Sequence, residues 1–99
     1  MTTYRFAADL WRWSGEAAWY FVTLPHEVAD EIDERTADTR PGFGSVRVRV
    51  TVGATTWSTS LFPDNRSESF LLPVKKSVRL AEGLEAGSPV SARIVLVDL

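Results

Sequence analysis

The sequence predicts a mainly β protein with two short helices, in the order β-β-α-β-β-β-α-β. Three observations predict it. Apolar and polar residues alternate at a period of two along several segments, most cleanly from Ser45 to Val52. Turn-forming pairs such as Gly53-Ala54 separate those segments. Helical spacing occurs in only two places, each directly after a Leu-Pro step, Leu24-Pro25 and Leu72-Pro73.

Tyr4 to Trp13 reads as the first strand, with Tyr4, Phe6, Ala8 and Leu10 on one face and Arg5 and Asp9 on the other. Trp11 and Trp13 fall on the polar side, which calls for a bulge, a bend or a strand covered on both faces at that end. Ser14-Gly15-Glu16 is a turn. Ala17 to Leu24 returns as the hairpin partner; it is apolar on both faces, so it is expected to be central and covered. Pro25 then opens a helix at its first position, where the missing N–H costs nothing. Glu27, Asp30 and Glu31 sit where the helix dipole favours acids, and Val28, Ala29 and Ile32 form the apolar stripe. The helix is expected to end near Arg35 or Thr36, with a loop from Ala37 to Phe43.

Ser45 to Val52 places Val46, Val48, Val50 and Val52 inward and Arg47, Arg49 and Thr51 outward. A two-residue turn at Gly53-Ala54 sets the register of the returning strand, Thr55 to Leu61. Val50 then faces Trp57 and Val46 faces Leu61 on the inner side; Arg47 faces Ser60 and Arg49 faces Ser58 on the outer side. Phe62-Pro63-Asp64-Asn65 is expected to break the strand. Ser69 to Leu72 is a short strand, followed by a helix from Pro73 to about Gly83 with Val74, Val78 and Ala81 buried. Ser88 to Leu99 closes the chain as a strand. Phe21-Val22-Thr23-Leu24-Pro25 and Phe70-Leu71-Leu72-Pro73 echo each other, each an apolar strand ending at a helix start. The echo is either a pseudo-two-fold repeat or the convergent use of Leu-Pro as a strand stop.

A length of 99 residues predicts one domain over 1–99. A chain of this size buries roughly 60–65% of its unfolded surface, enough for a core without staples. The sequence has no cysteine, which excludes disulfides and thiolate metal sites. Four tryptophans and five phenylalanines supply apolar area instead. A net charge of −2 argues against a generic nucleic-acid coat, so binding a polyanion would need a local basic patch. No apolar run approaches the ~20 residues of a membrane span. Met1-Thr2-Thr3-Tyr4-Arg5 lacks the apolar stretch of a signal peptide, so a cytoplasmic setting is expected.

Two resemblances follow from particular residues. Ala18-Trp19-Tyr20-Phe21-Val22 with Leu24-Pro25, Gly42-Phe43-Gly44-Ser45-Val46, Trp57-Ser58-Thr59-Ser60-Leu61-Phe62-Pro63 and Leu72-Pro73-Val74-Lys75-Lys76-Ser77-Val78-Arg79 resemble the bacterial domain-of-unknown-function family nineteen-zero-five. The resemblance covers nearly the whole chain and implies a small closed barrel of the double-split type. It implies no activity, cofactor or catalytic residue; some members carry a second domain, and this chain is expected to stand alone. The second resemblance is local. Leu72-Pro73, Val78-Arg79, Gly83-Leu84, Gly87 and Val90 are similar to the pattern of AbrB-like and MazE-like swapped-hairpin proteins, which dimerise to bind DNA. It implies that one chain holds both halves of such a barrel, and a shared fold does not carry a shared activity.

Lys75, Lys76 and Arg79 crowd cations where a helix start favours acids, and Lys75 and Arg79 are four residues apart. They are the first candidates for an anion site, which Arg47, Arg49, Ser58 and Ser60 on the outer face of the Ser45–Leu61 hairpin would extend. The plainer reading is a solvated face with Arg79 paired to Glu82. Trp11, Trp13, Trp19 and Trp57 could line an apolar pocket, against a bland role in core filling; Trp11 and Trp13, on the polar phase of their strand, are the better placed for a binding surface. His26, the single histidine, has no partner placed by sequence to make it a base, and no catalytic residue, metal site or cofactor is predicted. Asp64 and Asn65 read as turn formers.

Three functional readings remain. The first is a monomeric, non-catalytic binding or accessory module for an anionic small molecule or protein partner. The second is a DNA-binding regulator, which requires a basic stripe joining Arg47 and Arg49 to the second helix. The third is an enzyme with an aromatic pocket, which lacks a visible acid–base pair.

Overall fold

A computed structural model describes residues 3–15, 17–38 and 44–97. The expected loop beyond residue 38, the turn residue Glu16 and the last two residues lie outside them. The elements follow the expected order: β1 (Thr3–Arg12), β2 (Tyr20–Thr23), α1 (His26–Thr36), β3 (Val46–Val52), β4 (Thr55–Asp64), β5 (Ser69–Pro73), α2 (Lys76–Glu82) and β6 (Pro89–Leu96). The six strands close into an antiparallel barrel in the ring order β1-β2-β5-β4-β3-β6.

Closure depends on two long strands that change partner. β1 pairs with β6 over Thr3–Asp9, then with β2 over Leu10–Arg12. β4 pairs with β3 over Thr55–Leu61, then with β5 over Phe62–Asp64. Each barrel wall therefore splits where its long strand switches. Exchanging β1 with β4, β2 with β5 and β3 with β6 leaves every neighbour in the ring unchanged. The units β1-β2-α1-β3 and β4-β5-α2-β6 are thus two copies of one topology, joined by the pairs β1–β6, β2–β5, β3–β4 and β3–β6.

The β3–β4 hairpin has the register its alternation predicts, including Val50 opposite Trp57 and Arg47 opposite Ser60. Gly53 opens the two-residue turn at φ +58°, a conformation that favours glycine. The barrel interior holds Leu10, Val22, Val48, Val50, Leu61, Leu72 and Ile94, each almost fully buried. α1 adds Ala29 and Ile32 to that core; α2 adds Val78.

Several boundaries differ from expectation. Pro73 ends β5 and does not open a helix. Leu72 and Pro73 pair with Val22 and Phe21, and the Val74 amide still bonds to the Tyr20 carbonyl (2.9 Å). The sheet pairing wins, and helix geometry starts only at Lys76, with Lys75 in extended conformation as the N-cap. Only one lysine therefore lies inside the first turn. β4 runs through Pro63 to Asp64, because Pro63 sits where its missing N–H does not cost the barrel its closure. The break comes one residue later, where Asp64 Oδ2 accepts from the Ser67 amide (3.2 Å) and hydroxyl (2.7 Å). Ala81 is exposed because α2 turns only one face, through Val78, to the barrel. β2 is central in the ring yet not covered on both faces: Trp19, just before it, is 58% exposed.

Candidate ligand-binding site

The split between β4 and β5 opens the site. Upstream of Phe62, β4 stays with β3, while β5 turns away to pair with β2. α2 begins directly after β5 and crosses near this gap. The result is a cavity of about 700 Å³, within the usual range for small-molecule sites.

Its walls are apolar. β2 and the residues before it contribute Trp19, Tyr20 and Phe21; β4 contributes Trp57 and Phe62; β5 contributes Leu71 and Pro73. Trp57 is 8% exposed and packs with the core, so the cavity reaches the barrel interior through the split. Phe62 is 43% exposed at the outer wall. Trp19 meets Phe21 edge-on with ring centroids 6.2 Å apart. Ser58 and Thr59 supply the neutral polar groups.

Every charged residue lining the cavity is a cation: Lys75, Lys76 and Arg79. Arg79 is held in place. Its guanidinium carbon lies 3.9 Å from the centroid of the Tyr20 ring, and Nη1 donates to the Val74 carbonyl (2.7 Å). Glu82, the expected partner of Arg79, instead accepts from Thr55 Oγ1 (2.6 Å) and ties α2 to β4. The ion pair that would have made the cluster a plain solvated face is thus replaced by two separate interactions. Lys75 and Lys76 are exposed.

Of the residues singled out by sequence, Lys75, Lys76, Arg79, Ser58, Trp19 and Trp57 come together at the cavity. Arg47 and Ser60 do not line it; they face each other on the outer side of the β3–β4 pair. Trp11 and Trp13 do not line it either. Trp11 Nε1 donates to Thr23 Oγ1 (2.9 Å) and its ring lies 5.3 Å from Phe21. Trp13 lies 5.5 Å from Trp19. The two therefore support the aromatic wall from behind. Sequence reasoning named Trp19 and Trp57 among the tryptophans able to line a pocket but preferred Trp11 and Trp13, and it missed Tyr20, Phe21, Phe62 and Leu71 as lining residues. The signal was the Trp19-Tyr20-Phe21 run itself, apolar on both strand phases and so too apolar for a strand with one open face.

His26 is exposed, with Nε2 2.7 Å from the Ser67 carbonyl. No cluster of three metal-ligating side chains occurs among the described residues. Nor is any helix there long and apolar enough to cross a membrane.

Fold and cavity together define a small split β-barrel with an apolar, cation-rimmed pocket. Residues 6–94 match the family model for a Domain of unknown function (DUF1905), and the chain belongs to that family. No curated protein matches the chain.

Proposed function

We propose that this domain is a non-catalytic binding module for an amphiphilic anion, with an apolar or aromatic body and a carboxylate, sulfonate or phosphate head. One observation carries the reading: a 700 Å³ cavity with aromatic walls whose charged lining residues are all cationic. The body would enter between Trp19, Phe21, Trp57 and Phe62, burying apolar area at about 25 cal/mol per Å². The head would meet Lys75 and Lys76, while Arg79, already oriented over Tyr20, presents its remaining N–H groups. The lining includes no histidine and no carboxylate, which favours binding over acid–base chemistry.

The test uses 8-anilinonaphthalene-1-sulfonate as a fluorescent probe, with decanoate and decanol as competitors. Decanoate is expected to displace the probe at least tenfold more effectively than decanol. Lys75→Ala/Lys76→Ala, two exposed positions, should erase that preference and leave decanol unchanged. Equal competition by the acid and the alcohol, or an unaltered preference in the double variant, would rule the reading out.

A further inference from the structure

A second set of cations, none of which lines the cavity, lies on the outer face of the β1–β6–β3 wall. Arg5 on β1 stands directly opposite Arg93 on β6. Arg93 stands opposite Thr51 on β3, and Arg49, two residues before Thr51, is its diagonal neighbour. Arg47 follows two residues further along β3. All four arginines are exposed. Strand geometry sets the successive intervals at roughly 5–8 Å, so the four arginine positions form one continuous line across three strands.

Like charges placed directly opposite in a sheet are destabilising. Here no carboxylate among the described residues relieves them. Arg93 Nη2 reaches only the Thr51 hydroxyl (3.4 Å). Asp9 is the sole acid at an outward position of β1, and it lies four residues from Arg5, roughly 13 Å along the strand. The exposed acids gather elsewhere. Glu27, Asp30, Glu31, Asp33 and Glu34 all lie on α1, which packs against β5 on the other wall. The small negative net charge therefore hides a separation of charge across the molecule.

The geometry points to this arginine line as a binding surface for single-stranded nucleic acid. Guanidinium groups bind phosphate bidentately and also stack on bases, so one row of arginines engages both parts of a strand. Between and beside them stand small side chains, Ala7, Ser91, Thr51 and Ser58, which let a backbone approach closely. A barrel wall is convex, and a flexible strand follows it where a stiff duplex touches at few points. Arg49 faces Ser58 on β4, which lines the cavity, but β4 itself carries no cation. Without a cation on β4 the line is not the continuous stripe toward the second helix that a swapped-hairpin regulator would require, and none of its four arginines lines the anion cavity.

Fluorescence anisotropy of a labelled twelve-nucleotide oligothymidylate tests the inference. The wild-type protein should bind, with log K falling against log salt at a slope near −3 for four neutralised phosphates. Arg49→Ala/Arg93→Ala should weaken binding at least tenfold at 50 mM salt and reduce the slope by about 1.4. Arg5→Ala/Arg47→Ala should do the same, and thermal melts should show both variants folded. Lys75→Ala/Lys76→Ala should bind the oligonucleotide like wild type while losing the decanoate preference, which keeps the two surfaces experimentally separate. No binding by the wild type at 50 mM salt, wild-type affinity in both arginine variants, or equal or tighter binding of a twelve-base-pair duplex or of polyglutamate would overturn it.

Discussion

The two halves of the barrel share a topology and differ in what they do with it. In β1-β2-α1-β3 the helix has 11 residues, buries Ala29, Ile32 and Thr36, and carries acids along its exposed side. In β4-β5-α2-β6 the helix has seven residues and buries only Val78. The first helix packs Ala29 and Ile32 into the core. The second leaves the gap between β4 and β5 open, and the residues flanking its start are cationic. Repeating an architecture therefore does not repeat its chemistry: one helix presents acids to solvent, and the other brings cations to a cavity.

The comparison can be broken first in the core. Leu24 and Leu72 each precede the Leu-Pro proline and are each at most 2% exposed. Leu24→Ala and Leu72→Ala should each destabilise the fold by about 2–5 kcal/mol in urea unfolding. Costs that match within about 1 kcal/mol would support equivalent packing in the two halves; a much larger gap would show that only one half carries the core.

A smaller effect is expected at the junction of the halves. Gly53 turns at φ +58°, and a Cβ there would lie 1.9 Å from Glu82 Oε1, a carboxylate already held by Thr55. Gly53→Ala should cost about 1–3 kcal/mol, read as a drop in unfolding midpoint. Adding Glu82→Ala removes the collision but not the backbone strain, so it should restore only part of the loss. Full restoration would show that the turn itself is unstrained.

The smallest effect belongs to a contact made on one side only. Ser69 Oγ donates to the Leu24 carbonyl (2.7 Å) and fastens β5 to the end of β2. Ser69→Ala should cost about 1 kcal/mol by the same measurement. No change at all would mean that the Leu24 carbonyl finds another donor.

Much of the fold was legible because its signals are local. The valines of β3 alternate without exception, and Gly53 allows one turn type, so the hairpin register followed directly. The start of α2 was misread for the opposite reason. Pro73 is a good first helical residue by local rules, but β2 lies beside it and claims Leu72 and Pro73 for the sheet. At the site, the cluster Lys75, Lys76 and Arg79 was visible as a charge anomaly. The aromatic wall was visible only in part: Trp19 and Trp57 were candidates, but Phe21 became a pocket residue only when β5 departed from β4 some fifty residues later. The arginines of the outer wall were likewise separate outward positions until β6 came to lie between β1 and β3.

By itself the sequence determined which residues turn inward, where the chain bends and how many elements form, because periodicity and turn chemistry act between near neighbours. Tertiary structure alone decided which strands meet around the ring, where the wall parts and which cations share a surface. Those outcomes depend on contacts between residues far apart in the chain, and no local pattern encodes them.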